Sequence, residues 1–208
     1  MSGLREKQKA HRHDRILEAA AVLFRENGYE AVKMEAIAAA AEVSIGTIYN
    51  YYQNKGDLLV AIVSLEVSEV LRVGEEVIAT PPQSAEKAID ALIGGYVEHS
   101  LHYLSKEMWR QAMAISTQQP VSPFGETYTA LDAALVRQTC ALIEKLQDLG
   151  LLSREADAQS LGEVIFNNTN MNFISFVKAE AMSMLELRGI LRRQHRAILQ
   201  GWKTVVVL

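Results

Sequence analysis

Between Lys33 and Lys55 the chain gathers side chains suited to gripping a polyanion. Ser44, Thr47, Tyr49 and Tyr52 carry hydroxyls, Asn50 an amide, and Lys33 and Lys55 ammonium groups. On duplex DNA, phosphate contacts give much of the affinity, while contacts to base edges give discrimination. Gly46 and Thr47 are small enough to let a helix that also carries Ile45 lie deep in a major groove. There the Thr47 methyl and hydroxyl meet a thymine methyl or a polar base edge. The phenols of Tyr49 and Tyr52 offer hydroxyls to the backbone; for Tyr51 and Tyr52, packing beneath the helix is an equal alternative. Lys55 reaches a phosphate, and the amides near Met34 form a second anion site. Lys33 adds a point charge beside them.

Elsewhere the reactive groups do not assemble into a catalytic set. His99 and His102 stand three apart on one helical face, as metal ligands can, but only two ligands are visible, so no metal and no cofactor are expected. Cys140 is the single cysteine and has no disulfide partner. With Glu98 these residues offer acid, base and thiol chemistry. No nucleophile elbow, phosphate-cradling glycine loop or metalloprotease pair accompanies them, and an enzyme is not expected. Tyr96, His99, Tyr103, Met108, Trp109, Met113, Phe124 and Tyr128 place aromatic and soft side chains in the middle of the chain. They line an apolar cavity, with Asn167 and Asn170 as polar wall residues, or they fill a core; both readings stand.

The elements that position these residues are helical. Ile16, Ala19, Ala20, Leu23 and Phe24 recur at helical spacing over residues 12–26, and Gly28 supplies a stop. A second helix is predicted at 34–41, whose alanines let a neighbour cross closely. Ser44 caps a third at 45–51, with Val43 and Ile48 pointing inward. Three short helices with tight turns match the helix-turn-helix layout of small DNA-reading modules. Further helices are predicted at 57–78, 84–104 and 106–115. Residues 116–125, with Pro120 and Pro123, read as a loop, and helix resumes to 149, where Gly150 ends it. Two long segments follow, about 155–178 and 180–203, without a clear break between them. No stretch sustains strand alternation, so the fold class is all-α.

Charge is unevenly spread. The whole chain of 208 residues carries a net −4, yet residues 1–15 hold Arg5, Lys7, Lys9, Arg12 and Arg15 against Glu6 and Asp14. That basic arm suits a DNA backbone or minor groove. Residues 61–185 hold 8 basic and 16 acidic residues, a surface unsuited to a polyanion. The two parts should have different partners. Hydrophobic residues at 49% support a folded core. With no signal-peptide run and no membrane-spanning stretch, a cytoplasmic protein without a membrane partner is expected.

Residues 37–59 read IAAAAEVSIGTIYNYYQNKGDLL. This resembles the TetR family of bacterial transcriptional regulators. Ser44, Gly46, Ile48, Tyr49, Tyr51, Tyr52, Lys55 and Leu58 stand at the positions of that family's signature, and Phe24, Gly28, Ile37, Ala38, Ala41 and Val43 at the upstream ones. Lys33 stands where many relatives have a capping threonine, Val32 replaces another threonine, and Glu42 replaces the glycine of the turn. Glu42 would cost about 1 kcal/mol more than glycine in a left-handed conformation.

The resemblance implies a three-helix DNA-binding head over 1–54, followed by a larger helical effector-binding and dimerisation domain over 55–208. It implies a repressor that leaves double-stranded operator DNA when a small-molecule effector binds the central region. It also implies a homodimer closed through the last two long helices. Leu161, Ile165, Asn168 and Phe176 on one, and Leu187, Leu191, Ile198 and Trp202 on the other, offer that interface; a purely internal core role is the competing reading. The alternative function is a helical interaction protein that keeps the fold but binds a protein partner, for which Glu42 is the modest support.

Overall fold

The computed structural model describes residues 2–202, with side chains from residue 6 onward. Arg5 of the basic segment and the end of the last expected helix at 203 therefore lie outside the described side chains and residues. Among the described residues the secondary structure is helical throughout: α1 (Ser2–Asn27), α2 (Met34–Ala40), α3 (Ile45–Tyr49), α4 (Lys55–Ala79), α5 (Ala85–His99), α6 (Lys106–Gln118), α7 (Pro123–Asp148), α8 (Ala158–Lys178) and α9 (Met184–Gln200). None is long and apolar enough to cross a membrane. Contacts divide the chain into two compact units, Met1–Leu65 with His102–Thr129, and Glu66–Leu101 with Ala130–Leu208.

In the first unit, α1 begins at Ser2, so the described part of the basic arm is helical and continues the element predicted from residue 12. The physical reason is cheap propagation. Residues 4–11 lack a full apolar stripe but are rich in good helix formers, and a helix already nucleated by packing needs no new nucleus to extend. Ile16, Ala20 and Phe24 bury the opposite end against its neighbours, and the helix ends at Gly28, whose φ of +82° few side chains would accept. Ile37, Ala38 and Ala41 of the second helix and its cap are buried, and α2 packs on both α1 and α3. Glu42 adopts φ +50°, the left-handed geometry that its position in the turn demands.

The proline-containing loop is shorter than predicted. α7 starts at Pro123, because proline is well suited to a first helical turn. Ser122 Oγ accepts from the Gly125 amide at 3.1 Å, which secures that start.

In the second unit, α9 packs along both α5 and α8. Asp157 caps α8 by accepting from the Ser160 amide at 2.7 Å. Ser183 and Glu186 form a reciprocal capping box at the start of α9. Two small-residue crossings pull helices together. A Cβ on Gly162 would lie 2.6 Å from Cys140 Sγ, and one on Gly74 would strike Gln138. Gln138 is a hub: its amide nitrogen donates to the Leu71 carbonyl at 2.7 Å, and its oxygen accepts from the Tyr96 hydroxyl at 2.7 Å.

Candidate nucleic-acid interface

The third helix is short, and its orientation is set by one buried anchor and one cap. Ile48 is fully buried, which turns Ile45, Gly46, Tyr49 and Asn50 outward. Ser44 Oγ accepts from the Thr47 amide at 3.1 Å and lies 2.8 Å from the Thr47 hydroxyl. The cap therefore also fixes the Thr47 side chain, which is half-buried.

Beside this helix, Gln8, Lys9 and Arg12 of α1 face Thr47, Asn50 and Tyr51 across an open groove. The Tyr51 hydroxyl reaches the Lys9 carbonyl at 3.4 Å. His13 lies against the rings of Tyr51 and Tyr52, with centroids 6.2 and 5.8 Å away. Tyr52 itself is buried, and burial pushes its phenol pKa up. Of the two tyrosines for which packing and contact were equal alternatives, Tyr52 thus packs inside, and Tyr51 stands half-exposed at the groove. Sequence reasoning placed positive charge in this region but did not pair Lys9 and Arg12 with the third helix. Their signal is the spacing of Gln8, Lys9 and Arg12, which share one face if the helix continues upstream.

Lys55 is half-buried rather than free at the surface. Its ammonium donates to the Tyr29 and Glu30 carbonyls at 2.8 and 2.9 Å and sits 4.7 Å from the centre of the Tyr29 ring. It fastens the turn between α1 and α2. Lys33 is exposed at the N-cap of α2, makes no side-chain cap bond, and leaves the buried Met34 as the first helical residue. Arg15 donates to the Ala41 carbonyl and meets the Glu42 carboxylate at 3.0 Å. The acid near this face is therefore paired with a cation.

The central aromatic set falls on both units. Tyr96, His99, Asn167 and Asn170 belong to the second; Tyr103, Met108, Trp109, Met113, Phe124 and Tyr128 belong to the first. Met108, Trp109 and Phe124 are buried within the first unit, and the Phe124 and Tyr128 rings stack at 6.4 Å. In the second, the Tyr96 hydroxyl is bonded to Gln138. His99 pairs through Nδ1 with the buried Glu66, and its Nε2 lies 3.1 Å from Glu69. Asn167 is exposed and Asn170 half-buried. Asp132 was not singled out by the sequence reading, although it is a lone acid in the apolar run 130–136. Burial pushes its carboxyl up to about 6.

Of the residues proposed for a dimer face, Leu161, Ile165, Phe176, Leu187 and Leu191 are buried within the second unit's own core. Asn168 is half-buried and donates to Gln194 Oε1 at 2.8 Å, Ile198 is half-buried, and Trp202 is exposed. Val164, Met171 and Leu185 are exposed apolar side chains on α8 and α9.

Residues 16–62 match the family described as "Bacterial regulatory proteins, tetR family". The HTH-type transcriptional repressor KstR of Mycobacterium tuberculosis is 39% identical over 69 residues, 33% of this chain and 31% of that protein. The chain thus aligns with about a third of the length of that curated relative. A structure assigned to the TetR family from Mesorhizobium loti superposes with a TM-score of 0.75 at 22% identity, covering 93% of this chain and 98% of that one. FadR of Bacillus subtilis, solved in complex with stearoyl-CoA, gives 0.68 at 19% identity, covering 91% and 98%. The amino-terminal helices thus carry the signature of the TetR family of bacterial regulatory proteins over residues 16–62, and nearly the whole chain shares the fold of the Mesorhizobium loti structure.

Proposed function

We propose that the chain is a ligand-responsive transcriptional repressor that binds operator DNA as a homodimer. The carrying observation is the groove that sets Lys9 and Arg12 beside Thr47 and Asn50. It combines phosphate-seeking charge with a small, exposed helix that fits a major groove. The role is one of binding, not catalysis, and its place is the cytoplasm, where the operator is.

One head contacts few base pairs, so a second copy supplies the other half-site. Val164, Met171 and Leu185 support a dimer face, since apolar side chains this exposed gain from being covered. The central aromatic region is the proposed effector site. The stearoyl-CoA bound to the Bacillus subtilis FadR makes long-chain acyl thioesters the first effectors to test. An effector releases DNA by binding better to a form whose head spacing no longer matches successive grooves.

The test is duplex binding at several salt concentrations, followed by selection of bound sequences from a random pool. Affinity should fall steeply with salt. Thr47→Ala should flatten sequence preference, whereas Arg12→Gln should weaken all duplexes alike and reduce the salt slope by about 1. Binding that ignores salt, or no binding to any duplex, would favour the protein-partner reading instead. The pairing of Glu42 with Arg15 weakens that alternative, because it offsets the charge that was its support.

A further inference from the structure

Between α5 and α9, wholly inside the second unit, lies a cavity of about 230 Å³ that the repressor reading does not use. At about 30 Å³ per water it holds roughly eight waters, or a small metabolite in their place. Its wall is cationic within an otherwise acidic region: Lys87, Arg188, Arg192 and Arg196 line it, against Glu86 and Asp90.

These arginines are only partly engaged. Arg188 is pinned: it bonds Asp90 at 3.0 Å, pairs with Glu98, and lies so close to the bare Gly94 backbone that a Cβ there would sit 2.6 Å from its Cζ. Arg192 uses Nε on Asp90 at 2.9 Å, and Arg196 uses Nε on Glu86 at 3.2 Å. The terminal amino groups of both have no partner among the described residues. One helical turn apart, they make adjoining forks for a single oxyanion.

The inner wall adds a second polar demand. His195 is only 5% exposed. Its Nε2 lies 3.2 Å from Thr169 Oγ1, and that hydroxyl donates its own proton to the Ile165 carbonyl at 2.8 Å. With Nε2 carrying the proton, Nδ1 is left as an acceptor on a residue that lines the cavity. A ligand hydroxyl can donate to it in place of water. Ile93, Leu191 and Leu199 supply apolar wall between the two polar ends.

We infer that this cavity binds a small hydroxylated oxyanion, a short hydroxy acid or its phosphate counterpart, with the anion on Arg192 and Arg196 and the hydroxyl directed to His195. The site is separate from the aromatic region proposed for the effector, and it stands whether or not the chain binds DNA.

The test is NMR of the histidine rings in the full chain, with the His195 signal identified by its loss in His195→Gln. The probes are β-hydroxyhexanoate, 3-hydroxyhexyl phosphate, and hexane-1,3-diol as the neutral control. One or both anions should bind saturably near about 1 mM and shift the His195 ring signal, while the diol does not; which anion saturates decides between carboxylate and phosphate. Arg192→Gln combined with Arg196→Gln should weaken binding about tenfold. If that double variant loses helical content, Arg196→Gln alone carries the comparison, since Arg196 is 64% exposed and its loss leaves the core intact. Failure of both anions to saturate overturns the site. So does saturation that leaves the His195 ring unmoved or the arginine variants unaffected.

Discussion

At Glu42 a backbone cost and an electrostatic one fall on the same residue. Its φ of +50° costs about 1 kcal/mol relative to glycine, and its carboxylate sits on the face proposed for DNA. Arg15 offsets part of both by meeting that carboxylate and the adjoining carbonyl, although an exposed pair contributes about 1 kcal/mol at most. Glu42→Gly should therefore leave the melting temperature almost unchanged while strengthening duplex binding at low salt; Glu42→Gln should strengthen binding but lower the melting temperature. A titration and a melt of each variant separate the two effects. Asp132 is a second residue whose environment opposes its charge, with a folded value near 6. Because this lies above its unfolded value, the native state holds the proton longer. Stability is thus fully present below the unfolded value and is lost as pH rises to about 6. Asp132→Asn should raise the melting temperature at pH above about 7 and leave it unchanged near about pH 3, below both values. Equal gains at both would show that desolvation is not the cause. The turn at Glu42 was legible because position in the motif dictates it. Its partner Arg15 was not, since 27 residues of chain separate them and only the packing of α1 on α2 brings them together.

For the helices, legibility followed the strength of local end signals. Ser44 and Gly28 marked the head's helices correctly because a cap and a left-handed glycine act through bonds to their nearest neighbours. The break between α8 and α9 falls between the two segments read from the sequence, and its local signal is a start rather than a stop, the capping box of Ser183 and Glu186. Close crossings were invisible, as a glycine inside a helix does not announce which neighbour it admits. Gly162 admits Cys140, and Gly162→Val should cost about 2 kcal/mol or more, because the new side chain meets both the sulfur and the Cα of the facing helix. Chemical denaturation measures this. The mild outcome, a loss below about 0.5 kcal/mol, would mean that α7 and α8 can move apart freely.

For the molecule as a whole, charge and periodicity suggest a division near residue 54, whereas the first compact unit runs to Leu65 and takes in His102–Thr129, and what each apolar stripe covers does not follow from the sequence. Leu161, Ile165, Phe176, Leu187 and Leu191 form stripes that suit a partner or an internal core equally well, and in this structure the second unit buries them itself. The proposed dimer face is left to the side chains outside those stripes. Val164→Glu with Met171→Glu should give a monomer by light scattering with helical content unchanged, and should abolish tight operator binding while sparing weak non-specific contact. A dimer that persists would move the interface elsewhere. By itself the sequence determined the all-helical class, the head with its exposed third helix, and the sign of its charge, because periodicity, capping and net charge act over a few residues. Only the tertiary structure decided that Lys9 and Arg12 flank that helix, that Lys55 braces the turn, and that arginines on α9 meet a buried histidine in one cavity. These depend on which helix faces are brought together across long stretches of chain, and no local pattern specifies that.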